Sequence, residues 1–212
     1  MLFSLESLIV AAALGSFFGY HLWHFFQIKH SPLLTSTGFN NKARSAWVKH
    51  VRENSLDILA IQTMRNWTIS ATFLASTSIL LSLGIINFAL TTDGLNNFAH
   101  GFNFLGSQAH SILLLKSFFL AANFTFSFIS FILAVRFYNH ASFLINIPEN
   151  YQLSINSESD ITAINQGALY YNLGMRAYYL SIPLAFWLIG PVWMLICTLI
   201  TVFIIYKLDH VI

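Results

Sequence analysis

Of 212 residues, 56% are hydrophobic and only 8% charged, against roughly a quarter in soluble domains, so the chain has too little polar surface to stay dispersed in water. A net charge of +2 suggests no nucleic-acid partner, and the single cysteine, Cys197, excludes an internal disulfide. The expected fold class is all-α: an integral membrane bundle of four transmembrane helices, one membrane domain over 1–212, with a short cytoplasmic amphipathic helix between the first and second.

A membrane-crossing helix needs about 20 apolar residues, and the first such stretch is 2–26. It is too long, and too poor in basic residues at its start, for a signal peptide. Ala11, Gly15 and Gly19 recur every four residues, a small-residue stripe of the kind that lets helix backbones approach. The stretch finishes in Tyr20-His21-Leu22-Trp23-His24.

The connection 27–57 holds Lys29, Lys42, Arg44, Lys49 and Arg52. Within it, KARSAWVKHVREN puts Trp47, Val48 and Val51 on one helical face. Such a helix rests on anionic lipid or packs on the protein's own cytoplasmic end. Asn54-Ser55-Leu56-Asp57 fits a cap before the second span.

That span, 58–90, is polar in its first half. Gln62, Arg65 and Asn66 lie one turn apart, and Thr68, Thr72 and Ser76 extend the strip. Ala71, Ala75 and the surrounding hydroxyls make the helix thin, so the stripe on the first helix is a fitting partner. The loop TTDGLNNFAHGFNFLGSQAH lacks lysine and arginine. A phenylalanine-rich third span, 112–135, runs into Arg136-Phe-Tyr-Asn139-His140. After a connection over 136–177, with the polar stretch IPENYQLSINSESD, comes a fourth span, 178–206, bent at Pro183 and Gly190-Pro191. The two Asn-X-Thr sequons, at Asn66 and Asn123, fall in apolar segments and read as incidental.

Basic residues favour the cytoplasmic side. Four spans then put loops 27–57 and 136–177 in the cytoplasm and both termini outside, which is the periplasmic side of a bacterial inner membrane. Lys116 and Lys207 would snorkel at the outer interface.

The same parity gathers a cytoplasmic-side polar layer: His21, His24, Asp57, Gln62, Arg65, Asn66, Arg136, Asn139, His140, Arg176 and Tyr178. These residues either anchor the helices at the interface or converge as a buried site. His21, His24 and His140 are weak metal or haem candidates, with no acidic ligand at metal spacing beside them. An excess of guanidinium suits an anion such as a lipid phosphate, and pairing of Asp57 with Arg65 or another arginine is the structural alternative. No catalytic motif occurs, so the sequence makes no case for an enzyme.

Several stretches resemble the domain of unknown function 599 family of multi-pass membrane proteins. They are Tyr20-His21, Arg44-Ser-Ala-Trp47-Val, DILAIQTMRN with ATFLASTSILL, Arg136-Phe-Tyr-Asn-His140, and GMRAYYLSIPLAFWLIGP from Gly174 to Pro191. Leu208-Asp209 also fits. The resemblance covers nearly the whole chain and implies about four helices, with no activity attached.

Three functions are open at this point. The first is a non-enzymatic accessory or stabilising subunit of a larger membrane complex, or a homo-oligomer. The second is a binding module for haem, quinone or anionic lipid at the polar layer, with bound membrane lipid in any case. The third is a small-molecule transporter or channel.

Overall fold

The computed structural model describes residues 2–91, 110–147 and 157–210. Among them there are six α-helices, a 3-10 turn and no strand: α1 Leu2–His30, the turn Pro32–Leu34, α2 Ser36–Glu53, α3 Asp57–Thr91, α4 His110–Leu144, α5 Ser157–Ile189 and α6 Pro191–His210. The loop before His110, with His100, and most of IPENYQLSINSESD lie outside the described residues. Four helices are long and apolar enough to cross a membrane: α1, α3, α4 and α6.

The expected fourth span, 178–206, is not one helix. Gly190 donates its N–H to Phe186 at 3.1 Å, and its carbonyl accepts from Met194 at 3.2 Å, so one glycine ends α5 and caps α6. Pro191 lacks the N–H that would continue α5 and takes the first position of α6, where none is needed. The chain reverses there, because Arg176 before the break reaches Asp209 well beyond it. Pro183 is accommodated inside α5. The segment 136–177 is likewise no simple loop: α4 continues through 144, and 157–177 is the first part of α5.

Five helices therefore run lengthwise, not four. α3 and α4 are antiparallel, with Met64 clustered with Ala141 at one end and Ser82 bonded to Ala121 nearer the other. α4 and α5 are also antiparallel, joined by Asn123 to Ala177 and by Tyr138 against Gly167. α1 and α6 run parallel. Ala13 and Leu14 cluster with Met194 and Leu195, while Tyr20 and Gln27 meet Asp209 and His210. The start of α1 and the end of α6 thus lie at opposite ends of the bundle, which corrects the expectation of two termini on one side.

At the end where α1, α4 and α6 finish, nine of the ten lysines and arginines gather, all but Lys116. Lys207 lies at this basic end, not at the outer interface expected for it. Lys116 does not snorkel: it is 1% exposed, with Nζ 3.0 Å from Glu6 Oε1 and over the Trp187 ring.

α2 closes the basic end. Thr35 caps it by accepting from the Gly38 N–H at 3.2 Å, and a side chain at Gly38 would overlap Pro32. Val48 and Val51 are fully buried, against Met64, Ala141 and Ile164 and against Ala60 and Ile145. The apolar face of α2 is thus spent on the protein itself. Asn54 closes α2 instead of opening α3, with its N–H bonded to the His50 carbonyl.

The α1 stripe does not pack on α3. Ala11, Gly15 and Gly19 face outward, with open space where a glycine side chain would stand. α1 buries Ala13, Phe17 and His24 instead. α3 does use Ala71 and Ala75, both buried, and Ala71 packs with Ala134 and Tyr138 of α4.

The α4–α5 seam depends on two glycines. A methyl at Gly167 would lie 2.6 Å from the Tyr138 ring, and one at Gly174 would lie 2.7 Å from Phe131. Ser127 donates to the Gly174 carbonyl at 2.9 Å, fixing the approach. Gly174→Ala is therefore expected to destabilise the protein by about 1–3 kcal/mol through overpacking. Gly84→Ala, with nothing within 4 Å, should cost nothing, and thermal unfolding in detergent compares the two.

Candidate ligand site at the basic end

α3 and α5 both pack on α4 and leave a cleft between them, with α2 laid across its mouth. The cleft holds a cavity of about 620 Å³. Tyr138 of α4 contributes to its lining, with Thr63, Trp67 and Ser70 from α3 and Ala168, Tyr171 and Asn172 from α5. α2 adds Asn40, Ala43, Arg44 and Trp47. The rings of Trp47, Trp67 and Tyr138 follow one another at 5.7 and 5.6 Å, so three helices share one aromatic wall.

Arg44 is the cationic group in this lining. Its Nε donates to Asn165 Oδ1 at 3.0 Å and its Nη2 donates to Asn41 Oδ1. Both partners are neutral, and among the described residues no carboxylate forms a salt bridge with it. Burial pulls its pKa down from the usual arginine value. A half-buried guanidinium held by amides keeps its full charge facing the cavity, which is an arrangement that attracts an anion.

A second chamber of about 250 Å³ adjoins the first through Asn40, Tyr171 and Asn172. Ser36 and Thr37 of α2 and Met175, Arg176 and Tyr179 of α5 line it, together with Ile205, Leu208 and Asp209 of α6. Beside this chamber α1, α5 and α6 meet on the Asp209 carboxylate. Tyr20 donates to it at 2.7 Å, Arg176 Nη2 reaches both of its oxygens at 3.0 Å, and His24 Nε2 lies 3.4 Å away. His24 is 2% exposed. The neighbouring His21 donates from Nδ1 to the Phe17 carbonyl at 2.7 Å.

Of the expected polar layer, the structure brings together only part. His21, His24 and Arg176 converge around Asp209, and Tyr178 packs inside against Phe124 and Phe131. Asp57, Gln62, Arg65, Asn66, Arg136, Asn139 and His140 are exposed on the outer faces of α3 and α4. The buried line of α3 is Ala60, Met64, Ala71, Ala75, Ser78 and Ser82, so the strip through Arg65 turns away from the bundle. Thr72 on that strip donates to the carbonyl four residues earlier at 2.8 Å, as Ser70 and Thr77 do elsewhere on the helix at 2.9 Å. His140 does not join His21 and His24, and no group of three His, Cys, Asp or Glu among the described residues could hold a metal ion.

Three residues outside the expected layer matter more than those within it. In the sequence Arg44 is one of the five lysine and arginine charges of the first connection and part of a family stretch, Asp209 lies past the last expected span, and Asp160 falls in the polar connection. Asp160 is 0% exposed and pairs with Arg52, whose Nε donates to Oδ2 at 2.6 Å. Arg52 also donates to the Leu144 carbonyl at 3.2 Å, tying α2 to the end of α4 and the start of α5. Asn123, read as an incidental sequon, donates to the Ala177 carbonyl at 2.8 Å inside the α4–α5 seam.

No curated protein and no solved structure matches this chain. A family model described as "Protein of unknown function, DUF599" matches residues 8–212, a span that takes in α2, the aromatic wall, Arg44 and the Asp209 cluster. The chain belongs to that family.

Proposed function

We propose that this is an integral membrane protein that binds an anionic amphiphile, a membrane lipid, in the cleft between α3 and α5. The observation that carries the reading is Arg44, a half-buried guanidinium whose partners among the described residues are both amides, facing a cavity with an aromatic wall. The phosphate sits on Arg44, and the apolar part lies along Trp47, Trp67 and Tyr138. Arginine suits this task because its planar fork meets phosphate with two parallel hydrogen bonds.

Nine of the ten basic residues at one end support placing that end in the cytoplasm. The start of α1 is then outside and the end of α6 inside. The ligand enters from the cytoplasmic leaflet, and α2 covers its headgroup as a helix packed on the bundle.

Lipid binding is favoured over the other expectations on specific grounds. Haem needs an axial ligand, and no histidine among the described residues lines the cavity. A quinone would use the aromatic walls but leave the guanidinium uncompensated. An accessory-subunit role has no comparable feature behind it, because the hydroxyls of Thr72 and Thr77 on α3 already have acceptors within the helix.

The test is a titration of detergent-purified protein with anionic and zwitterionic lipids, followed by the fluorescence of Trp47 and Trp67. Arg44→Gln is expected to weaken anionic lipid binding about 10- to 100-fold, the loss of one or two charge-assisted hydrogen bonds. Arg65→Gln, on the outer face of α3, should leave binding unchanged. Equal binding by wild type and Arg44→Gln would overturn the reading.

A further inference from the structure

The second chamber adds headgroup chemistry to the lipid reading, and the inference below rests on that reading. The two chambers share a wall of Asn40, Tyr171 and Asn172, so one ligand can occupy both. Their charges differ. Arg44 is uncompensated, whereas Arg176 is held by Asp209 through both carboxylate oxygens. The second chamber therefore offers no net positive charge to a second phosphate. It also offers no free carboxylate to an ammonium group, because Asp209 already accepts from Arg176 and Tyr20. Apart from Nη1 of Arg176, a buried donor without a partner on a guanidinium whose charge Asp209 balances, what remains is neutral: Thr37, Asn40 and Asn172, whose side chains carry both donors and acceptors.

We infer that the site selects a phosphate esterified to a polyol, with the phosphate on Arg44 and the hydroxyls in the second chamber. The ligand class is a phospholipid with a hydroxylated, uncharged headgroup. A water-soluble polyol phosphate shares the same chemistry, so the experiment has to separate the two sources.

The wild-type protein in neutral detergent is titrated with phosphatidylglycerol, phosphatidic acid, phosphatidylethanolamine and glycerol 3-phosphate, again reading the fluorescence of Trp47 and Trp67. Phosphatidylglycerol should bind about fivefold more tightly than phosphatidic acid, although the latter carries the greater charge, because one or two neutral hydrogen bonds are gained. Phosphatidylethanolamine should bind least of the three lipids. Thr37→Val, which touches only the second chamber, should erode the preference for phosphatidylglycerol while leaving phosphatidic acid binding intact, which also shows that the variant is folded. Asn172→Leu, on the wall that both chambers share, should erode the preference as well. Much weaker binding of glycerol 3-phosphate assigns the lipid source. Binding as tight as that of phosphatidylglycerol would keep the polyol-phosphate inference but move it to a soluble ligand. Equal affinity for the first two lipids, or a preference that survives both substitutions, overturns the inference and leaves the Arg44 reading standing. If no anionic ligand binds at all, the Arg44 reading itself fails.

Discussion

Replacing Asp160 with alanine is expected to cost about 3–5 kcal/mol, the usual penalty for stranding one member of a buried ion pair. Asp160 is completely buried and Arg52 nearly so. With the carboxylate gone, the guanidinium keeps, among the described residues, the carbonyls of Leu144 and Ile147, at 3.2 and 3.5 Å. It cannot move to water without lifting α2 off the bundle, because Val51 beside it is packed against Ala60 and Ile145. Burial pushes the Asp160 carboxyl above the ordinary carboxylate range against the pull of Arg52, so desolvation outweighs pairing. The pair is thus a clamp on geometry more than a source of net stability. Arg52→Met combined with Asp160→Leu should then recover most of what Asp160→Ala loses. Unfolding by a graded denaturant in detergent measures all three proteins. A single variant as stable as wild type would show that the pair is solvated.

The apolar spans were legible because they follow from length and composition alone. So was the glycine-proline signal at Gly190-Pro191, although a bend and a full reversal look the same in sequence. What distinguishes them is the contact between Arg176 and Asp209, made across 33 residues and invisible to local pattern. A bend would keep the start of α1 and the end of α6 at one end of the bundle, whereas the reversal puts them at opposite ends. The outward turn of Gln62, Arg65 and Asn66 has a different cause. In a membrane helix the buried face is picked out by small residues as much as by polar ones, and the line Ala60, Met64, Ala71, Ala75 was as readable as the polar strip. The partners of Arg44 and Arg52 on α5 lie 121 and 108 residues away, and no spacing rule reaches that far.

Asp209→Ala should have the second large effect, about 2–4 kcal/mol, reduced from the fully buried case because Arg176 is 20% exposed and Asp209 12%. The loss falls where three helices meet: Tyr20 on α1 loses its acceptor, and Arg176 on α5 loses both bonds to α6. Asp209→Asn keeps an oxygen for Tyr20 and should cost roughly half as much, since one neutral hydrogen bond is worth about 1 kcal/mol. The substitution also changes the charge of the second chamber. Freed from Asp209, Arg176 becomes a second uncompensated guanidinium in the chamber adjoining that of Arg44, and the chamber that suited uncharged hydroxyls now favours additional negative charge. Lipid preference should therefore invert, with phosphatidic acid overtaking phosphatidylglycerol in Asp209→Asn, while Asn172→Leu only levels the two. If Asp209→Asn loses stability but keeps the wild-type preference, the Asp209 cluster is purely structural and its neutralisation of Arg176 plays no part in selecting the headgroup.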